Sequence, residues 1–386
     1  MGDLKVLMMG GRRCGKTAAL ASLFYQATQG PIRKVFKTTD QTPPQIKDDE
    51  VLETLANKCR ELTHAIDNYG NGVFLVDHAP SYHYWDYLLR MQIPGTDRKM
   101  EIQFRDCAGE IFESNINNDI VEYIKGCDVF IVVVDTPFLM KGGTDNECAN
   151  RNIEIDAFLT HIAPGKAKQV LFVPVKCEKW VKENRVDEVS DAVEQLYHNT
   201  IADLLATPNV EVSIVPIETA GDIIFQEFRE PFLLHYKDEN NKEKNIKCST
   251  VKGDDSVVLL EDGKPHRIKE GEYVIEDPQA VFTGTGIVRQ ATWFRLTHNP
   301  IARYTPHNCE QLVIHILRFM FNKRRCEFGI WDFLRAFLGG ITMGDIENAL
   351  QKLESLNLIK NKGEGIRILK SCFLPEEDCT KPAYNE

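Results

Sequence analysis

Three things are missing from this 386-residue chain. It has no stretch apolar enough to cross a bilayer. The longest strongly apolar run, Val129 to Val134, falls far short of the roughly 20 residues that a spanning helix needs. It has no basic excess. Its 46 Lys and Arg stand against 57 Asp and Glu, a net charge of −11, which excludes a general nucleic-acid coat because such a coat needs a basic footprint. It also has no pair of cysteines spaced as CxxC, although eleven cysteines are scattered along it. An odd, unpatterned count fits neither a zinc ribbon nor a paired disulfide frame. Reduced thiols in a cytosolic protein are the plain reading. No signal-peptide pattern opens the chain, and Val6 stands where N-myristoylation needs Ser or Thr. No repeat or low-complexity tract stands out. The expectation is a soluble cytoplasmic protein without a membrane segment.

What is present suits a globular chain. Hydrophobic residues make up 43% and charged residues 27%, and the length fits one large domain or two moderate ones. Residues 4–9 read as a buried strand, followed by a glycine-rich loop and a helix from Thr17. Residues 45–66 carry Val51, Leu55, Cys59, Leu62 and Ile66 at helical spacing and predict an amphipathic helix. Tyr82 to Met91 and Met100 to Arg105 predict two strands around the turn QIPGTDR. Val129 to Asp135, Val170 to Val175 and Val210 to Ile217 read as buried strands, with helices over about 150–162 and 187–206 between them. Strands alternating with helices predict an α/β fold, a mostly parallel sheet with helices on both faces. The rhythm then changes: turn signals from Asn240 to Gly286 predict an antiparallel β insertion over about 232–300. Helix returns at 307–322. The tail, 328–370, reads as three helices and a short hairpin, resembling a winged-helix module.

The first chemistry-bearing motif is GGRRCGKT, Gly10 to Thr17, lying between the strand and the helix. Inward-pointing backbone N–H groups of Gly10, Gly11, Arg12, Arg13, Cys14 and Gly15 would form an anion nest. The helix start at Lys16, Thr17 and Ala18 would add positive potential. In this pattern Lys16 reaches the β- and γ-phosphates and Thr17 ligates Mg²⁺. The second motif is IQFRDCAGE, Ile102 to Glu110: an alternating strand ending in Asp106, with Gly109 three residues on. The third is Val175-Lys176-Cys177-Glu178 after a buried strand. The fourth is IETAGD, Ile217 to Asp222, after another.

In this order, over about residues 1–225, the four motifs resemble those of Ras-like, translation-factor-related GTPases. DCAGE is similar to the DTAGQ of that class. The resemblance implies a P-loop NTPase fold, GTP or GDP as ligand and Mg²⁺ as cofactor. It implies that Asp106 holds the Mg²⁺ shell and that the N–H of Gly109 touches the γ-phosphate. Where the class carries [NT]KxD to read guanine, this chain has Val175, Lys176 and Glu178. The lysine is kept, but the Asp has become Glu and the Asn or Thr has become Val, so guanine specificity is open and ATP is an alternative. The turn at Thr219, Ala220 and Gly221 resembles the ETSA turn whose backbone reads the guanine carbonyl. The class also needs a Thr or Ser to close over Mg²⁺. Thr38, Thr39 and Thr42 are at the usual distance from Lys16, while Ser81 precedes the next strand and is the preferred candidate. The gap from Thr17 to Asp106 is about twice that of a minimal GTPase. This resembles the enlarged GTPases of some prokaryotic multi-gene systems.

Hydrolysis needs an oriented water and a cation for the developing charge. The class places a Gln after the DxxG glycine; here that position is Glu110, whose charge opposes the γ-phosphate and predicts slow turnover. Arg12 or Arg13 could act as an internal arginine finger, pair with Glu110, block an external finger or point to solvent. Cys14 could have a lowered thiol pKa at the helix start, but plain packing is the favoured expectation. The candidate recognition helix of the tail, about 343–356, carries Asp345, Glu347 and Glu354 against Lys352. That surface suits phosphates poorly, so a protein partner is expected and nucleic acid is not. Asn322 to Arg325 reads as a solvated helix end. The expected organisation is a GTPase-like domain over 1–322, with an enlarged switch region at about 40–100 and the β insertion, then the winged-helix-like module and tail over 323–386. The leading expectation is a GTP-binding switch with slow Mg²⁺-dependent hydrolysis. The alternatives are an ATPase on the same fold and a pseudo-GTPase interaction scaffold.

Overall fold

A computed structural model describes residues 4–11, 14–28, 31–41, 85–107, 118–162, 165–219, 306–328, 331, 334, 337–355 and 366–370. Of residues 37–41, and of six strands between 223 and 298, it describes the backbone alone. The chain divides into two compact units. One comprises residues 1–56, 80–219 and 306–386; the other comprises 57–79 and 220–305.

The first unit is built on an eight-stranded sheet. Its strands are β1 (Leu4–Met9), β2 (Lys37–Gln41), β3 (Trp85–Gln92), β4 (Lys99–Asp106), β5 (Val129–Asp135), β6 (Lys168–Val175), β7 (Val210–Ile214) and β14 (Arg367–Lys370), in the order β14-β7-β6-β5-β1-β4-β3-β2. The central five, β7, β6, β5, β1 and β4, are parallel. β3 runs antiparallel to β4, β2 to β3, and β14 to β7. The apolar, β-branched runs explain the middle. Every residue of β5 and β6 is buried, as strands covered on both faces must be.

The helices of this unit are α1 (Lys16–Thr28), α2 (Asn118–Gly126), α3 (Thr136–Lys141), α4 (Gly143–Asn150), α5 (Asn152–Leu159), α6 (Glu178–Lys182), α7 (Val186–Leu196), α8 (His198–Ala206), α9 (Cys309–Cys326) and α10 (Met343–Ser355). The period of two along the strands sorts the core into two layers. Leu7, Met9, Phe130, Val132, Val134, Val170, Phe172 and Val212 form one layer with Ile155 and Phe158 of α5, Val189 and Val193 of α7, and Ile201 of α8. Alternate residues such as Val6, Met8, Ile131, Val133, Leu171 and Val173 are equally buried and face the other way. α9 packs on α1 and α10.

Four sequence expectations are redrawn. The helix over 187–206 breaks at Tyr197, whose backbone leaves helical geometry (φ −105°, ψ 26°). Its buried ring packs on Phe172, 5.0 Å between centroids, and its hydroxyl donates to the Asn150 carbonyl at 3.2 Å. The strand expected to reach Ile217 ends at Ile214. Val215 and Ile217 still donate to Phe172 and Pro174, but Pro174 has no N–H to return. The helix expected near 150–162 is Asn152–Leu159, preceded by α3 and α4, with Gly142 and Arg151 in left-handed φ at the joints. In the tail, β14 pairs with β7 as the edge of the main sheet. The strand at 358–359 that a hairpin would need lies outside the described residues, as does the helix expected at 45–66.

Asn322 to Arg325 is more tightly held than a solvated end. Asn322 is buried, and the Lys323 ammonium bonds Asp128 at 2.8 Å. In the second unit, β9 (Phe232–Lys237), β10 (Glu243–Ser249), β11 (Val257–Glu261) and β12 (Lys264–Ile268) form an antiparallel meander. β8 (Ile223–Phe228) pairs antiparallel with β13 (Phe294–His298).

Candidate functional site

The order of the sheet reverses at β1. From β1 the chain moves to β4 on one side, then crosses to β5 on the other. Open α/β sheets bind ligands at such a point, beyond the carboxyl ends of the strands. The loop at Gly10–Gly15 leaves β1 there and ends in α1.

Two glycines let the loop pass close to its neighbours. A Cβ on Gly11 would stand 1.8 Å from the Ala149 carbonyl oxygen. Gly10 has φ +153°, and a Cβ there would meet the Val133 carbonyl at 2.7 Å and the Cys14 sulfur at 2.8 Å. Only a residue without a side chain fits either place. Lys16 folds back into this turn, and its ammonium donates to the carbonyls of Gly10 at 3.0 Å and Gly11 at 2.9 Å. Cys14 is buried, and burial raises its thiol pKa against the opposing pull of Lys16. The packing role is the one the surroundings favour.

Thr17 lies beside Asp106. The threonine hydroxyl donates to the carboxylate at 3.1 Å across 89 residues of sequence. Asp106 ends β4 opposite Met8 of β1, and the Cys107 N–H donates to the Met8 carbonyl at 3.3 Å. Asp106 is only 5% exposed. Burial and the neighbouring Asp106 push the Cys107 thiol up to about 12. A hydroxyl and a single carboxylate are hard oxygen donors of the kind Mg²⁺ takes when phosphates and waters supply the rest of its shell. Among the described residues no group of three or more His, Cys, Asp or Glu gathers. Thr17 and Asp106 offer donors of that kind side by side.

Lys176 follows β6 in a left-handed conformation, φ +60°. Its stem runs along the loop: a Cβ on Gly15 would lie 3.7 Å from Lys176 Cε and 3.3 Å from a Val175 methyl. Its ammonium pairs with the Asp135 carboxylate at the end of β5. Glu178 opens α6, half-buried. Thr219 is buried beside α1, where its carbonyl accepts the Ser22 hydroxyl at 2.6 Å. The Ala18 carbonyl, 2.9 Å from the same oxygen, is the alternative acceptor for its single proton. The Cys177 N–H donates to the Ile217 carbonyl at 3.4 Å, joining the third and fourth motifs.

The structure therefore brings Gly10, Gly11, Cys14, Gly15, Lys16, Thr17, Ala18, Asp106 and Lys176 to one end of the sheet, with Thr219 fixed against α1. Arg12, Arg13, Ser81, Gly109, Glu110, Ala220 and Gly221 lie outside the described residues. Thr38 and Thr39 fall on β2, three strands from β1. Two residues escaped the sequence reading: Asp135 and Asn150. Asp135 caps α3, accepting from the Phe138 N–H at 3.3 Å, and Asn150 donates to and accepts from its backbone. The signal was present as Asp-Thr-Pro after a buried strand, which reads as a helix start.

Comparison with models of known protein families finds none that matches the chain, and comparison with curated proteins finds no matching sequence.

Proposed function

We propose that the chain is a cytoplasmic GTP-binding switch protein with slow Mg²⁺-dependent hydrolysis that signals to a protein partner. The observation that carries this is the Thr17–Asp106 hydrogen bond at 3.1 Å. It joins the two motifs that the Ras-like resemblance pairs around Mg²⁺, beside a glycine-tight loop at the turning point of the sheet. Mg²⁺, when bound, supplies charge neutralisation to the phosphates. The rest falls to the chain: Lys16 exchanges its loop carbonyls for phosphate oxygens, the loop N–H groups cradle them, and Lys176 covers the base side. Glu110, in place of Gln, supports slow turnover. Arg12 and Arg13, in the loop sequence, are the candidate cations for the developing charge.

A protein partner is supported by Trp331, Leu334, Phe337 and Leu338, which stand 49% to 86% exposed at helical spacing. On α10, Glu347 and Glu354 are exposed, which supports a partner other than nucleic acid. The winged-helix-like reading of 323–386 rests on sequence pattern, with β14 engaged by β7.

One observation favours ATP as the alternative ligand. Val175 is fully buried and apolar, so it offers a base no hydrogen bond and leaves Glu178 alone to discriminate. Another favours a scaffold: Lys16 already satisfies two carbonyls of its own loop. Titration with GTP and with ATP, followed by single-turnover phosphate release, separates the three. GTP binding with slow release is expected. Preference for ATP selects the second reading, and binding of neither selects the scaffold.

A further inference from the structure

We infer that Asp135 is a positioning residue that holds Lys176 along the last glycine of the loop and thereby sets the affinity for a purine nucleoside rather than for phosphates. The inference rests on the nucleotide-binding reading above. Lys176 is an unusual lysine: its φ is +60°, a conformation that disfavours side chains bearing a Cβ. Strained residues of this kind persist where their surroundings hold them. Here the surroundings are identifiable. Its side chain is 35% exposed, whereas that of Asp135 is 3% exposed. A flexible four-carbon stem at such exposure samples many rotamers unless its end is tied. Asp135 ties it.

The anchor is itself fixed. One carboxylate oxygen of Asp135 accepts the Phe138 N–H at 3.3 Å, and the other takes Lys176. Asp135 and Val175 are partners across the parallel β5–β6 pair, so the lysine reaches back over one strand. The Asp135 N–H donates to the Asn150 side chain at 2.7 Å. That side chain donates in turn to Asn146 at 2.7 Å, while the Asn150 carbonyl accepts the Tyr197 hydroxyl at 3.2 Å. The carboxylate thus stands on a buried polar frame of α3, α4 and the α7–α8 break. It directs the apolar stem of Lys176 past Gly15, which has φ +108°. Lys16 and Thr17, which face the phosphate side, make their bonds to Gly10, Gly11 and Asp106 and none to Asp135.

The test uses the full chain with Mg²⁺ and two probes, GTP and inorganic tripolyphosphate, on the wild type, Asp135→Asn, Lys176→Gln and the double variant. Asn caps a helix as well as Asp, so Asp135→Asn keeps α3; Lys176→Gln is half-exposed and serves if the first variant misfolds. Each single substitution is expected to weaken GTP about tenfold and tripolyphosphate less than about twofold, and the double variant to be no weaker than either. Unchanged GTP affinity in Asp135→Asn, equal loss for both probes, or additive losses would each overturn the inference. Wild-type silence toward both probes is a different failure, that of the nucleotide reading itself.

Discussion

Two buried lysines mark the two ends of the main sheet. At the carboxyl end, Lys16 is 8% exposed and bonds two carbonyls, those of Gly10 and Gly11. At the amino end, Lys168 is 1% exposed and also bonds two carbonyls, those of Lys125 and Cys127. The bonding is alike and the surroundings are not. Around Lys168 stand the Asp128 carboxylate and a second ammonium, that of Lys323. The Asp128 carboxylate accepts the Lys5 N–H at 3.0 Å and the Lys323 ammonium at 2.8 Å, and backbone bonds link Lys5, Asp128 and Gln169. Burial lowers the Lys168 pKa, with Asp128 opposing. Around Lys16 the carbonyls belong to glycines in a tight turn, with a hydroxyl–carboxylate pair beside them. The same ammonium–carbonyl contact is a permanent strap at one end. At the other, in the proposed function, phosphate oxygens can take over the contact.

The sharpest way to break that comparison is to remove each lysine in turn. Lys16→Ala should weaken GTP about a thousandfold, some 4 kcal/mol, with a stability loss no larger than the about 2 kcal/mol expected for a stranded pair of carbonyls. Calorimetric titration beside a thermal melt checks both, and retained tight binding would place the nucleotide elsewhere.

The amino end should also be the pH-sensitive one. His315 of α9 is fully buried, and its carbonyl accepts the Gln169 side chain at 3.4 Å. Burial first, and the Arg318 charge second, lower its pKa from 6.5 to about 4. The unfolded chain therefore binds the proton more readily than the folded one. Stability is fully present above pH 6.5 and falls as pH drops toward about 4, by on the order of 3 kcal/mol. Urea melts across that range should show a slope that His315→Phe removes; an identical slope in the variant would assign the effect elsewhere.

Gly11→Ala sharpens the loop side, since its Cβ cannot coexist with the Ala149 carbonyl. A loss of about 2 to 3 kcal/mol in denaturant unfolding is expected, together with weakened GTP binding. The smallest effect belongs to Lys168→Met. It strands the Lys125 and Cys127 carbonyls and should reduce stability by about 2 kcal/mol with GTP affinity intact. Loss of binding in that variant would mean that the two ends are not separate.

The buried runs of β1, β5 and β6 made the parallel centre of the sheet legible, because consecutive apolar, β-branched residues need cover on both faces. The edges were not legible in the same way. Nothing local in Arg367–Lys370 says that it will join β7, and nothing in the 187–206 pattern says that Tyr197 will break the helix to reach Phe172. Those outcomes are decided by partners distant in sequence. At the site, Lys16 and Thr17 could be picked by residue type and spacing, Asp106 only through the resemblance, and the structure brings Thr17 and Asp106 together. Asp135 could not. A lone acid before Thr-Pro reads as a cap, and its bond to Lys176 exists only once β5 and β6 are paired.

The most direct test of the loop end as a Mg²⁺–nucleotide site is the GTP affinity of the wild-type chain and of Asp106→Asn, each measured with and without Mg²⁺. The wild type is expected to bind GTP with micromolar or tighter affinity that weakens markedly when Mg²⁺ is removed, and the variant to bind weakly and indifferently to the ion. A wild-type affinity that Mg²⁺ does not change, or no binding at all, would contradict that assignment.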